Sequence, residues 1–201
     1  ETFYLYRISR DIKRVDLCAA SVSSDTLRAV VEERMNTYIE TRDPWFINNG
    51  EEFIHWSERD GWAHLYIYDK NGNLKKQLTS GEFYVEKVIT VDQTTKTIYF
   101  TANGREPGEN PYYTHQYRIG LDGTNLKLLN PGDYTNTTST SDNGKYFVNN
   151  YSRVDTEPAV SLIDNTGKKI MDLEKADLSL LFEAGYKFPE RFKVKAGDGI
   201  T

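Results

Sequence analysis

A phrase of turn residues followed by a short aromatic-rich strand recurs along this chain at a nearly constant interval. It occurs at residues 48–56, 92–100 and 142–148, with roughly 45 and 48 residues between equivalent apolar positions. A fixed period of this size is the length of one blade in known β-propeller repeats. The repeat therefore predicts a series of similar antiparallel sheets.

Each repeat continues with a second hairpin. Short apolar runs flank Asn-Gly at 71–72, Asp-Gly at 122–123 and the turn at 164–167. These turn residues accept the positive φ angles of tight hairpins. With one further strand ahead of each phrase, every repeat has four short strands, which is the content of one blade.

The chain is therefore predicted to be all-β, a partial β-propeller of about three and a half four-stranded antiparallel blades. Its propeller segment covers residues 1–181. A partial blade at 1–36 lacks its innermost strand, and whole blades follow at about 37–85, 86–133 and 134–181. Helix is expected only within 174–183, and the alternating residues 188–195 are predicted to form a strand that belongs to something downstream.

Individual strands follow from the short apolar runs between turns. They are predicted near residues 3–9, 14–20, 27–31, 45–47, 53–57, 64–68, 74–78, 86–91, 97–102, 115–120, 126–129, 137–140, 146–151, 159–163 and 168–172.

Composition agrees with a β-rich globular segment, because 13% of the residues are aromatic and only 2 are Met. The net charge is −5, and no block of basic residues could follow a phosphate backbone, so no nucleic-acid partner is expected. The single cysteine, Cys18, lies in an apolar run and is predicted to be a buried thiol. No run approaches the ~20 apolar residues of a membrane helix, so the segment is expected to be soluble.

The phrase SERDGWAHLY at 57–66 resembles the bacterial, Bacteroidetes-like dipeptidyl peptidase IV branch of the prolyl oligopeptidase family. Shorter matches accompany it at 32–38, 78–83, 151–158 and 195–201. The resemblance covers essentially the whole chain and implies the later blades of an eight-bladed N-terminal propeller domain. It also implies that residues 182–201 are a linker and strand leading into a missing C-terminal α/β-hydrolase domain. A start at Glu1 without Met agrees with a segment of a longer protein.

The family implies a division of labour between two domains. The hydrolase domain would carry a Ser, Asp, His triad and release N-terminal dipeptides, while the propeller would gate access of peptide substrates and dock on its own hydrolase domain. The family's acidic clamp for the substrate amine would lie in an earlier blade, upstream of Glu1. A bacterial periplasm or cell envelope is the implied location, and open sheet edges suggest a homodimer.

No catalytic residue is assigned to this chain, because it has no Gly-x-Ser-x-Gly phrase and only 3 His. Glu40 and Arg42 are the candidate substrate-binding residues. They precede the inner strand of the first whole blade, where loops of this family face the cavity between domains, and Arg42 can meet a peptide carbonyl or carboxylate. No cofactor or metal is expected, since His55 and His64 are interpreted as packed blade residues, not ligands.

The remaining candidates are interpreted as structural. The glutamate pairs at 32–33 and 51–52 are predicted to be solvated charge, in preference to an amine clamp or a glycosidase acid and base. Residues 69–73 lack the distal Glu of a calcium loop and are predicted to be a hairpin. Trp62 is predicted to cover the apolar end of a blade, with Arg59 paired to a nearby carboxylate.

Three alternatives stay open at this point. The Gly- and Pro-rich loop 104–113 is either a partner contact or a mobile surface loop. The whole chain fits a stand-alone propeller-like binding module with no catalytic partner, or a carboxylate-based glycosidase propeller. A Gly-x-Ser-x-Gly phrase encoded after Thr201 would favour the peptidase, whereas a stop codon or an unrelated domain would favour the binding module.

Overall fold

The computed structural model describes residues 2–197, which form fifteen strands and one short helix. The strands are β1 (Thr2–Ile8), β2 (Arg14–Ser21), β3 (Thr26–Arg34), β4 (Trp45–Ile47), β5 (Glu52–Ser57), β6 (His64–Asp69), β7 (Leu74–Gln77), β8 (Tyr84–Asp92), β9 (Thr97–Asn103), β10 (Thr114–Gly120), β11 (Lys127–Leu128), β12 (Thr135–Thr140), β13 (Tyr146–Ser152), β14 (Ala159–Asp164) and β15 (Lys169–Lys175). The helix is α1 (Ser179–Glu183), and a single 3-10 turn lies at Asn48–Gly50.

The strands form four separate antiparallel sheets, each with its strands in chain order. Sheet 1 contains β1–β3, sheet 2 β4–β7, sheet 3 β8–β11 and sheet 4 β12–β15. The predicted all-β partial propeller is confirmed, with three four-stranded sheets preceded by a three-stranded one. The α-helix lies inside the predicted range 174–183. No helix in residues 2–197 is long and apolar enough to cross a membrane.

The central strands are buried on both faces because alternate side chains enter different interfaces. On β5, Ile54 and Trp56 pack towards sheet 3, whereas Phe53 packs towards sheet 1. On β9, Phe100 packs towards sheet 2 and Tyr99 towards sheet 4. The period-2 alternation of a strand lets each central strand contribute to two cores.

The three interfaces between sheets differ in their apolar content. Sheets 2 and 3 enclose the largest cluster, in which Leu65 and Phe100 are fully buried. Sheets 1 and 2 share a smaller cluster, and sheets 3 and 4 share the smallest. Polar groups complete this last interface through two amide hydrogen bonds of 3.0 Å that join Asn130, Asn149 and Asn136. The interface between sheets 2 and 3 is therefore the main core.

One contact recurs between every pair of neighbouring sheets. A cation on the last strand of one sheet donates to a backbone carbonyl in the hairpin that joins the last two strands of the next sheet. The donors and acceptors are Arg28 to Lys70 O (2.7 Å) and Asn71 O (3.1 Å), Lys76 to Asp122 O, and Lys127 to Thr166 O (2.8 Å). We call this repeated contact the hairpin staple. It orients each sheet against the sheet before it.

The hairpins approach the preceding sheet so closely that two of them require glycine. Gly72 has a φ of 91°, and a Cβ there would lie 2.2 Å from the carbonyl oxygen of Val30. Gly167 has a φ of 85°, and its Cβ would lie 2.8 Å from the carbonyl oxygen of Leu129. Glycine meets both requirements, because it adopts a positive φ readily and has no Cβ to collide with the carbonyl oxygen.

Trp62 is 44% exposed, so the prediction that it covers the apolar end of a blade is wrong. It lies in the bend between β5 and β6, where its backbone N–H donates to Asp60 Oδ1 at 3.2 Å. Gly61 makes the bend with a φ of 93°. Trp62 belongs to none of the buried clusters, whereas the next residue, Ala63, is fully buried in the main core. Truncating Trp62 should therefore cost less stability than truncating a fully buried aromatic side chain.

Residues 186–196 contain no strand, so the strand predicted at 188–195 does not form here. An extended segment needs a neighbouring strand to pair its backbone groups, and none of the four sheets pairs with this segment. Glu1 and residues 198–201, which include the end of the phrase at 195–201, lie outside the described residues.

The close approach of Gly72 leads to a stability prediction. Gly72→Ala should lower the free energy of unfolding by about 1–3 kcal/mol more than Gly61→Ala, measured by urea denaturation. Both glycines have nearly the same positive φ, but a Cβ at Gly61 meets nothing within 4 Å. The pair therefore separates steric overlap with Val30 from backbone strain. Equal losses would contradict the described contact.

Candidate functional site

Glu40 and Arg42 lie in the segment that joins sheet 1 to the first strand of sheet 2. The Arg42 guanidinium stacks on the Trp56 ring, 4.8 Å from its centroid. Its Nη2 donates to Glu40 Oε2 at 2.8 Å, and its Nη1 donates to Thr41 O at 3.1 Å. The structure therefore brings the two predicted site residues into direct contact and holds Arg42 on an aromatic face.

A tyrosine from sheet 3 completes this group. Tyr84 donates from its hydroxyl to Glu40 Oε2 at 3.1 Å, and its ring meets Trp56 edge-on at 5.9 Å. Burial, followed by the hydrogen bond to Glu40, raises the pKa of Tyr84 to about 12. The tyrosine thus stays protonated at neutral pH and remains a donor.

Sheet 1 fixes the backbone of the same segment. Tyr6, on β1, donates from its hydroxyl to the carbonyl oxygen of Arg42 at 2.6 Å. Burial raises the pKa of Tyr6, and the negative charges of Asp43 and Glu33 raise it further. Because Tyr6 keeps its proton, sheets 1, 2 and 3 all hold one short loop in place.

A second carboxyl group faces this arrangement. Burial, followed by the nearby charge of Glu40, raises the pKa of Glu58, although Arg42 acts in the opposite direction. On the other side of Arg42 lies a cavity of about 230 Å³, which is lined by Arg42, Asp43, Trp45, Trp56 and Lys87 but not by Glu40 or Glu58. The site therefore offers aromatic faces, one stacked guanidinium and two carboxyl groups, which suits binding of a polar chain more than bond cleavage.

A buried ion cluster lies beneath the site. Glu33 is only 7% exposed, and its carboxylate accepts from His55 Nε2 at 3.0 Å and pairs with Arg59. Arg59 also donates from Nε to Ser57 Oγ at 2.9 Å and stacks on Tyr66, 4.5 Å from the ring centroid. The cluster joins β3 of sheet 1 to β5 of sheet 2, and the predicted pairing of Arg59 with a carboxylate is confirmed.

The prediction of solvated charge at residues 32–33 is wrong for Glu33. The pairing of β2 with β3 shifts register at Leu17 and Cys18, which leaves Val30 as an extra residue on β3. A bulge of this kind changes which face each following side chain takes. Glu33 is consequently turned into the interface with sheet 2, whereas Glu32 stays exposed.

Comparison with known proteins gives the family of this arc of sheets. Residues 1–158 match the family model described as the dipeptidyl peptidase IV (DPP IV) N-terminal region. The chain belongs to the DPP IV N-terminal region family. The resemblance seen in the sequence is thereby confirmed.

Relatives of the DPP IV family include fungal enzymes. Dipeptidyl peptidase 4 of Trichophyton equinum is 30% identical over 162 residues, covering 77% of this chain and 20% of the relative. Dipeptidyl peptidase 4 of Arthroderma otae is 41% identical over 56 residues, covering 28% of this chain and 7% of the relative. The chain thus spans about a fifth of the length of the first of these relatives.

Two solved bacterial structures have the same fold. Porphyromonas gingivalis dipeptidyl peptidase 4 superposes with a TM-score of 0.76 at 24% identity, over 91% of this chain and 25% of that chain. A putative dipeptidyl aminopeptidase IV from Bacteroides ovatus gives a TM-score of 0.80 at 24% identity, over 100% of this chain and 31% of that chain. These likenesses show the fold of the DPP IV N-terminal region.

The histidines of this DPP IV segment serve its packing. His55, His64 and His115 are all buried. His64 lies 3.1 Å from Thr79 Oγ1 and 2.9 Å from Gly81 O, while His115 lies 2.7 Å from Glu109 Oε2. Within residues 2–197, no group of three His, Cys, Asp or Glu side chains is placed to hold a metal ion.

The other candidates of the sequence fall on turns and loops. Asp69 Oδ1 accepts from the backbone N–H groups of Asn71 and Asn73, so the predicted hairpin at 69–73 is confirmed. Glu51 is exposed, whereas Glu52 is largely covered and pairs with Lys75. The prediction of solvated charge therefore holds for Glu32 and Glu51 and is wrong for Glu33 and Glu52.

The loop 104–113 is braced by the sheet behind it. Its Glu109 contacts His115 on β10, and Tyr117 on the same strand donates to Glu106 Oε1 at 2.9 Å.

Cys18 is fully buried, as predicted.

The buried carboxylate of Glu33 leads to a second prediction. Glu33→Gln should lower the free energy of unfolding at neutral pH by about 1–3 kcal/mol, because the Arg59 guanidinium loses its charged partner. Glu51→Gln, which removes an exposed carboxylate paired with Lys70, is the control and should cost less than about 1 kcal/mol.

The stability lost in Glu33→Gln should depend on pH. Burial alone would raise the pKa of Glu33, but the hydrogen bond from His55 and the charge of Arg59 hold it below its ordinary value of 4.5. Its stabilising contribution is therefore present above pH 4.5 and disappears as the pH falls through the lowered pKa. Urea denaturation at several pH values should show the gap between wild type and Glu33→Gln narrowing in acid. A gap independent of pH would contradict the cluster.

Proposed function

We propose that this chain is the non-catalytic propeller segment of a DPP IV-like serine exopeptidase, which gates substrate access and docks on an α/β-hydrolase domain. The longer protein would release N-terminal dipeptides from peptides. The observation that carries the proposal is the family match over residues 1–158. In support, the 201 residues contain no Gly-x-Ser-x-Gly phrase, and the proposal therefore puts the chemistry in another part of the protein.

The proposed domain organisation follows the blades. Residues 1–181 form the propeller segment, divided into 1–36, 37–85, 86–133 and 134–181, and residues 182–201 lead to the hydrolase domain. In support, the last sheet ends at Lys175, and residues 186–196 pair with none of the four sheets. Such an unpaired passage is typical of a connection between domains.

We assign substrate binding to Glu40 and Arg42. Glu40 already balances the charge of Arg42, and Glu58 lies close by, so a peptide carbonyl suits the remaining guanidinium N–H groups better than a carboxylate does. Stacking on Trp56 and the hydrogen bond from Tyr6 to the Arg42 backbone keep the donors in one orientation. Such preorganisation reduces the entropy lost when a peptide binds.

Further parts of the proposal concern the longer protein as a whole. Its partners would be the hydrolase domain, peptide substrates and a second copy in a homodimer, and its location would be the periplasm or cell envelope of a bacterium. No cofactor is proposed, because a Ser, Asp, His triad needs none.

The proposal is tested by comparing this chain with the product of the complete reading frame. The complete product should release the chromophore from a dipeptidyl substrate with proline in the second position, and the 201-residue chain should not. No turnover by the complete product would contradict the peptidase proposal and favour a binding module. Turnover by the 201-residue chain alone would show that the catalytic groups lie in this chain, and it would contradict the proposal that they lie in a separate hydrolase domain.

The binding role of Arg42 gives a kinetic prediction. In the complete product, Arg42→Gln should raise KM about tenfold, equivalent to about 1.4 kcal/mol, and leave kcat nearly unchanged, because it removes an interaction made equally in ground and transition states. The control is Arg10→Gln, which removes an exposed guanidinium from the turn after β1. A fall in kcat at constant KM, or the same change in both variants, would contradict the assignment.

A further inference from the structure

Four alternating charges lie where the chain leaves sheet 4. Arg153 contacts Asp133 Oδ2 through Nη1 and Asp155 Oδ1 through Nε, both at 2.5 Å. Arg191 contacts the same two aspartates, with Nε 3.1 Å from Asp155 Oδ2 and Nη1 3.6 Å from Asp133 Oδ2. Each aspartate is thus shared by two arginines in a closed ring of four ion pairs. We call it the charge ring.

Three members of the charge ring belong to loops beside sheet 4. Asp133 lies just before β12, whereas Arg153 and Asp155 lie between β13 and β14. The Arg153 side chain is 19% exposed and stacks on Tyr134, 5.6 Å from the ring centroid. Burial alone would raise the pKa of Asp155, but the hydrogen bond from Arg153 and then the charge of Arg191 lower it. These loops therefore present a preformed acceptor for a second guanidinium.

The fourth member comes from a segment with little other attachment. Arg191 lies in the unpaired residues 186–196, and its side chain is 49% exposed. No other charged side chain of that segment forms an ion pair within the described part of the chain. Phe192 and Val194 beside it are largely exposed. The segment's first residues pack on α1, where Tyr186 and Phe188 contact Phe182, but this attachment does not reach sheet 4. The residues after Phe188 belong to no sheet, and such a segment is mobile unless some contact ties it down.

The position of this segment also shapes a cavity. A cavity of about 960 Å³ has residues 189–194 along one side and residues 108–111 and Tyr113 of the braced loop along another. Asp133 contributes to the same lining. Because the loop is fixed from behind by the contact of Glu109 with His115, the width of the cavity depends on where the departing segment lies.

We propose that Arg191 is a latch: it docks residues 189–194 onto the charge ring and so fixes the direction in which the chain leaves the last sheet. The partner of the ring is thus a segment of this same chain. Shared ion pairs of two arginines with two carboxylates restrict direction better than one exposed pair does, because each guanidinium is held at two points. The docking of residues 189–194 does not depend on the proposed function. If a hydrolase domain follows, as proposed, the latch would also orient that domain, and this part of the inference rests on the proposed function.

The latch is tested in this chain itself, without an activity measurement. Nitroxide labels at Asn150→Cys, on the exposed face of β13, and at Val194→Cys report the distance from sheet 4 to the departing segment. The native Cys18 is fully buried and leaves the two new thiols as the reactive sites. Pulsed electron paramagnetic resonance then gives the distribution of distances.

Arg191→Gln should make that distribution about twice as broad, because the segment loses the only ion pairs that it makes within residues 2–197. Lys193→Gln is the matched control: it removes the same charge from the same segment but no described ion pair, and the distribution should not change. In an Asp155→Asn background, Arg191→Gln should add less broadening than it does in the wild type, because only the longer contact of Arg191 with Asp133 is left to lose.

An unchanged distribution in Arg191→Gln, or equal broadening in Lys193→Gln, would overturn the latch. Thermal denaturation of each variant checks that the sheets remain folded, which is expected because none of the changed side chains belongs to a buried cluster. Because the readout is a distance within this chain, the latch stands or falls separately from the proposed peptidase activity. If the distance measurement overturns the latch, the family assignment is unaffected, because it rests on the match over residues 1–158.

Discussion

The arc of sheets depends on how closely each sheet approaches the one before it. In every interface, the last hairpin of one sheet lies against the last strand of its predecessor, and a cation from that strand donates to the hairpin carbonyls. This contact brings the sheets near enough to bury both faces of the central strands. It also places Tyr84 of sheet 3 against Glu40 in the segment that joins sheets 1 and 2, so the candidate site is a consequence of the stacking.

The interfaces between sheets become smaller and more polar from sheets 2 and 3 to sheets 3 and 4, and a different proposed role lies beside each of these two interfaces. Apolar packing dominates between sheets 2 and 3, which hold the Glu40 and Arg42 segment, and the buried Glu33 cluster strengthens the adjoining interface with sheet 1. The interface of sheets 3 and 4 is smaller and more polar. A rigid region thus carries the proposed peptide contact, whereas the charge ring controls the exit of the chain beside the weaker interface.

Periodicity was sufficient to predict the fold, because alternating strands and Asn-Gly or Asp-Gly turns are local features; β4 at Trp45–Ile47 lies where the sequence placed it. The sequence also placed Glu40 and Arg42 in one loop, but the contact with Tyr84 spans sheets and left no local signal. Glu33 was mispredicted because one extra residue, Val30, changes the facing of the strand. Trp62 was mispredicted because aromatic character alone does not place a bend residue against the core.

We propose that this arc faces a catalytic domain and that its Glu40 and Arg42 segment meets the peptide. The most direct measurement is a crystal structure of the product of the complete reading frame with an uncleaved peptide bound. We expect the Arg42 guanidinium, still stacked on Trp56, to donate to a peptide carbonyl in the cavity between propeller and hydrolase. A structure in which this segment faces solvent, away from both peptide and catalytic serine, would contradict it.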